Sequence, residues 1–185
     1  MRTFIAIELD EAIKDGLLQL IRALQEKGKN VRWVNRNGLH LTLKFLGEIS
    51  EEQGGEVKDA LRRISLNHHL FPLRLKGTGY FPPERKSPRV LWAGVQDGPE
   101  LNALQEDLEQ EMERIGFTRE QRKFHPHLTL GRVKFPSGLS ETLRELEQQR
   151  DNDFGEMLVR KITFFQSILK PTGAEYAVVS EERLL

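Results

Sequence analysis

The tetrapeptide His-Leu-Thr-Leu occurs twice, in "LHLTLKFLG" (39–47) and in "FHPHLTLGR" (124–132). Its histidines, His40 and His127, lie 87 residues apart in a chain with five histidines among 185 residues. Successive side chains of an extended strand project to opposite faces. Each copy therefore sets an imidazole and a hydroxyl on one face, His40 with Thr42 and His127 with Thr129. Leu41, Leu43 and Phe45, and in the second copy Leu128 and Leu130, fall on the other. A chain that builds this strand twice needs two apolar interiors for the leucines and two open faces for the polar pairs. That predicts two similar lobes arranged so that the polar faces meet.

The rest of the pattern repeats in the same way. Residues 3–8 alternate as a strand, and Asp10 then caps a helix with Ile13, Leu17, Leu20, Ile21 and Leu24 on one face. "VRWV" and residues 40–46 are strands, and Ser50 with Gln53 forms a capping box ahead of Val57, Leu61 and Ile64. Phe71, Leu73 and Leu75 alternate, and "RVLWAGV" is a buried strand. In the second half Pro99 opens a helix carrying Leu101, Leu104, Leu108, Met112 and Ile115, stopped at Gly116. A strand over 125–133, a helix in "LSETLRELEQQ", and "MLVRKITFFQSILK" paired with "AEYAVVSEE" across the Pro171–Gly173 turn complete the chain. No linker of Pro, Gly and Ser separates the halves. The expectation is one α+β domain over 1–185, bilobal and pseudo-symmetric, with mainly antiparallel sheets and outer helices around a central cleft.

Composition narrows the function. The 28 basic residues balance the 28 acidic ones, which argues against a non-specific duplex binder. There is no cysteine, hence no disulfide and no thiolate nucleophile. The N-terminal apolar run is interrupted by Glu8, Asp10 and Glu11, unlike a signal peptide. No stretch approaches the roughly 18 apolar residues of a membrane span. The expected protein is soluble, cytoplasmic and monomeric, without a membrane partner.

Two opposed imidazoles suit in-line displacement at phosphorus, which needs a base on the entering oxygen and an acid on the leaving one. Histidine titrates near neutral pH, so one ring can be neutral while the other is protonated. Threonine hydroxyls can donate to the non-bridging oxygens as their charge grows. Arg132 adds a charge-assisted donor. It lies five residues after His127, however, and regular alternation would turn it away unless Gly131 permits a bulge.

With those residues in view, "VRWVNRNGLHLTLKFLGEI" and "FHPHLTLGR" resemble the two signature motifs of the two-histidine (2H) phosphoesterase superfamily. Within it the chain is similar to the bacterial and archaeal RNA 2′,3′-cyclic phosphodiesterases, also labelled 2′-5′ RNA ligases. The likeness runs from "RTFIAIEL" through "SPRVLWAGV" to "SILKPTGAEY". It implies a bilobal fold and a metal-independent enzyme, without cofactor, that opens a terminal 2′,3′-cyclic phosphate on RNA to a 2′-phosphate. It further implies His40 and His127 as catalytic residues, with Thr42, Thr129 and Arg132 binding the phosphate. The same resemblance suggests His40 as the acid on the departing ribose 3′-oxygen and His127 as the base.

Other readings stay open at this stage. Ligation of a cyclic phosphate to a 5′-hydroxyl is the reverse reaction and uses the same acid and base. A small cyclic phosphate of ADP-ribose type is an alternative substrate. A non-catalytic RNA-binding module is a third reading, but it would have no need of two titrating rings. "HPH" invites a metal, yet "RKFHPHLTLGRVK" supplies no carboxylate or thiolate, so His125 reads as a rim residue. His68 and His69 read as solvated. Trp33, Trp92, Phe164 and Phe165 read as core. Arg122, Lys123, Arg132 and Lys134, with Arg85, Lys86 and Arg89, form a basic rim that RNA could use.

Overall fold

The structure is a computed structural model and describes residues 1–83, 87–96, 98–171 and 173–185. In chain order the elements are β1 (Arg2–Glu8), α1 (Glu11–Gln25), β2 (Val31–Trp33), a 3₁₀ turn (Arg36–Gly38), β3 (His40–Glu48) and α2 (Glu51–Ser65). They continue as β4 (Phe71–Phe81), β5 (Val90–Val95), α3 (Pro99–Arg114), β6 (His127–Val133), α4 (Ser140–Gln148), β7 (Asp153–Val159), β8 (Lys161–Lys170) and β9 (Gly173–Arg183). The helix signals act as the residues dictate. Ser50 and Gln53 form both bonds of a capping box, and Pro99 occupies the first turn of α3. At Gly116 the chain turns left-handed, with φ +93°, and α3 ends. Asp10 stands at the start of α1, but its side chain makes no capping bond.

The strands form two antiparallel sheets, ordered β3-β1-β8-β9 and β2-β6-β5-β4-β7. The expected α+β architecture of two lobes is thus present, with a strand of each motif in a different sheet. "MLVRKITFFQSILK" is not one strand. It breaks at Arg160, so β7 edges the five-stranded sheet while β8 enters the other. Thr172, within the Pro171–Gly173 turn, lies outside the described residues, as do Arg85 and Lys86 of the basic rim.

The helices cross between lobes. α1 follows β1 but packs with α4 against the five-stranded sheet, touching β2 and β7. α3 follows β5 but packs with α2 on the four-stranded side, against β3. One buried apolar cluster consequently runs from Ile5 and Leu41 through Leu17, Leu61, Leu104 and Leu143 to Leu128. Each such side chain removed from water contributes about 1.5–3 kcal/mol before entropy is counted. Among the described residues no helix is long and apolar enough to cross a membrane.

Candidate active site

Both motif strands carry the same irregularity at the same place. Along β1, Phe4, Ala6 and Glu8 lie on one face, and their partners on β3 are Phe45, Thr42 and His40. Between Lys44 and Thr42 the register slips, so β3 holds one extra residue, Leu43, against β1. Along β5, Val90, Trp92 and Gly94 lie on one face, and their partners on β6 are Arg132, Thr129 and His127. There too the register slips, and Leu130 is the extra residue. The burial strings of the first seven residues of β3 and β6 are identical. The second leucine of His-Leu-Thr-Leu is therefore a bulge in each lobe.

The bulge settles where Arg132 points. Unbroken alternation would put it with Leu128 and Leu130; past the bulge it is exposed, on the His127 face. Gly131 allows this because a Cβ there would come within 2.6 Å of Val31 and 2.9 Å of Trp33 on β2. The same bulge overturns the expected place of Phe45. It is not core but 66% exposed, on the face of His40 and Thr42. Counting residues from the histidine could not have shown it, because the reversal comes from the pairing partner.

His40 lies on an aromatic bed. Its ring stacks on Phe4 at 4.8 Å and near Phe165 at 5.8 Å, with the edge of Tyr176 at 5.2 Å. Phe165 thus belongs with Phe4 and Ala6 in a small cluster on the cleft face, while Phe164 alone joins the main core. Burial among these rings lowers the His40 pKa from 6.5 to about 4, against the Asn37 backbone and the Glu8 carboxylate, which both favour the charged ring. Asn35 presents Asn37 by accepting a bond from Gly38 N–H that closes the 3₁₀ turn. The His40 Nδ1 is nonetheless buried without a hydrogen bond of ordinary geometry. Glu8, opposite His40, is held by Lys161 at 2.9 Å, and Lys161 also pairs with Glu181.

His127 is positioned differently. Its Nδ1 lies 2.7 Å from the His125 carbonyl. A carbonyl only accepts, so Nδ1 carries a proton, and in the neutral tautomer the lone pair is on Nε2. Phe81 meets the ring edge-on at 5.2 Å and packs against Trp92 at the same distance. Trp33 and Trp92 are only partly buried, and the Trp92 indole N–H has no partner among the described residues. The His125 side chain is exposed, as a rim residue should be. His68, read as solvated, instead bonds Asp107 at 2.8 Å and is mostly covered, while His69 is exposed.

Strands β3 and β6, one from each sheet, have Cα atoms within 8 Å of each other, so the two motif strands are neighbours in the fold. Between them the two strands carry two imidazoles, two hydroxyls and an arginine, with the exposed Phe45 on the His40 face. Such a set can pass one proton in and one proton out across an anionic centre. Among the described residues no three His, Asp or Glu side chains gather as a metal set.

The model of the 2′-5′ RNA ligase superfamily matches residues 10–168. An RNA 2′,3′-cyclic phosphodiesterase of Thermotoga maritima is 39% identical over 183 residues, covering 98% of this chain and 94% of that one. Among solved structures, TT0787 of Thermus thermophilus superimposes with a TM-score of 0.85 at 30% identity, covering 100% of this chain and 98% of that one. LigT of E. coli, complexed with 3′-AMP, does so at 0.79 and 27%, covering 99% and 97%.

Proposed function

The chain belongs to the 2′-5′ RNA ligase superfamily, and from that premise we propose that it is an RNA 2′,3′-cyclic phosphodiesterase. Water attacks phosphorus, the bond to the ribose 3′-oxygen breaks, and the RNA is left with a 2′-phosphate and a 3′-hydroxyl. His127 takes the proton from water through its free Nε2, and His40 returns one to the departing 3′-oxygen. Thr42, Thr129 and Arg132 hold the non-bridging oxygens. The observation that carries this reading is the matched pair of bulged strands, each presenting His-x-Thr on its cleft face. LigT, the relative with 3′-AMP bound, supports a site of nucleotide size. Phe45 offers the exposed aromatic face on which a terminal base would stack.

One observation favours a second assignment of the histidines. Burial keeps His40 neutral in the free protein, as befits a base, and in this second assignment the two roles are exchanged. A substrate with a nitrophenolate leaving group needs no acid, and it should rescue the alanine variant of whichever histidine is the acid. We place the enzyme in the cytoplasm as a monomer acting as one unit over 1–185, without cofactor. Water at bulk concentration makes hydrolysis, rather than ligation to a 5′-hydroxyl, the net direction.

The test is incubation with an oligoribonucleotide ending in a 2′,3′-cyclic phosphate. The expected product is the 2′-phosphate, formed at the same rate in EDTA, because imidazoles and an arginine supply the proton transfers and the charge. A 3′-phosphate product, or activity lost in EDTA and restored by a divalent ion, would overturn the mechanism.

A further inference from the structure

Across β2 and β6, Arg32 is the direct partner of Arg132. Direct partners in an antiparallel pair project to the same face, so Arg32 joins His127, Thr129 and Arg132 on the cleft side. Its neighbours Val31 and Trp33 turn the other way, towards the core. Both arginines are exposed, and among the described residues neither pairs with a carboxylate. Seven of the other fourteen described arginines do, among them Arg36, Arg63, Arg74, Arg114 and Arg119. Like charges set directly opposite are destabilising in a sheet. An anion between them removes that cost.

Position decides which anion. Along β5, the partner of His127 is Gly94 and the partner of Arg132 is Val90. At about 3.3–3.4 Å per residue, the arginine row stands about 13 Å from the histidine row. Arg132 can fold back towards Thr129 and the reacting phosphate. Arg32 stands one strand further out, on the edge strand β2, by about 4.8 Å.

On the reading of the site as an RNA cyclic phosphodiesterase, we propose that Arg32, with Arg132, binds the internucleotide phosphate next to the reacting one. The preferred substrate is then an RNA end and not a mononucleotide. Arg89 and Lys134, both exposed at this end of β6, extend the positive strip along which the chain would continue.

The experiment compares kcat/KM for a trinucleotide ending in a 2′,3′-cyclic phosphate with that for a 2′,3′-cyclic mononucleotide. Arg32→Ala should lower the trinucleotide value by about ten- to a hundred-fold more than the mononucleotide value, as loss of one charge-assisted contact does. Arg32→Lys should recover part of the difference, and the wild-type preference for the longer substrate should shrink as salt rises. Equal losses on both substrates, or no loss on either, would overturn the proposal. Should the wild type turn over neither substrate, the activity itself is refuted. Arg32 is then judged by binding of a trinucleotide 2′-phosphate in fluorescence anisotropy, where unchanged affinity in Arg32→Ala rejects the subsite.

Discussion

As the acid of the proposed mechanism, His40 would pair a task that calls for a proton with surroundings that expel one. Stacked against Phe4 and Phe165, it titrates at about 4 in the free protein and is neutral at pH 7. An acid on the 3′-oxygen must therefore be charged by the arriving phosphate anion. This predicts different pH profiles for kcat/KM, which reports the free enzyme, and kcat, which reports the complex. The alkaline fall of kcat/KM should begin at lower pH than that of kcat; coincident limbs would show that phosphate does not recharge the ring. Stability carries the same signature. The folded pKa of about 4 lies below the ordinary 6.5, so the unfolded chain binds more protons between those values. The contribution is present above about pH 6.5 and lost as pH falls towards 4, amounting to about 3 kcal/mol. Urea unfolding at about pH 7.5 and about pH 4 should show the wild type losing about that much more stability than His40→Asn. Equal losses would place the imidazole in water.

At the scale of the strand, what matters is a bulge that leaves no mark in hydrophobic periodicity. His40, Thr42, His127 and Thr129 were legible because each pair precedes the slip, where alternation holds. The faces of Phe45 and Arg32 were not legible because both depend on register, a relation between strands that one segment cannot express. Lys44 shows the other consequence. Beside the bulge it turns inward, only 6% exposed, and its ammonium meets Glu109 of α3 at 2.5 Å and the Thr118 carbonyl at 3.0 Å. Glu109 in turn accepts from the Glu120 N–H at 3.1 Å and from Gln105 at 3.3 Å. The pair thus ties the first motif strand to the segment that leads into the second. Removing one partner strands the other charge in the core. Lys44→Met should cost about 3–5 kcal/mol of unfolding free energy, and Lys44→Met with Glu109→Leu should cost less than that single change. A loss below about 1 kcal/mol for Lys44→Met would mean that water already reaches the pair.

For the molecule as a whole, the exchange of helices decides how it holds together. Amphipathic periodicity identified α1 to α4, but no periodicity says which sheet a helix will cover. The sequence therefore suggested lobes built from consecutive halves. Instead, α1 from the first half covers the sheet of the second motif, and α3 from the second half covers the sheet of the first. Neither lobe can bury its sheet without a helix contributed by the other half of the chain. The two motif strands are thus held in one core, as a reaction needing groups on both sides of phosphorus requires. The consequence is a single cooperative transition. Both tryptophans, Trp33 on β2 and Trp92 on β5, belong to the five-stranded sheet and report that lobe alone. Far-UV circular dichroism reports the backbone of both lobes. In a urea titration the two signals should share one midpoint and one slope. Were fluorescence to change while a third or more of the dichroism persisted, the four-stranded lobe would be standing without α1 and α4 to close its partner, and the interlocked core would be refuted.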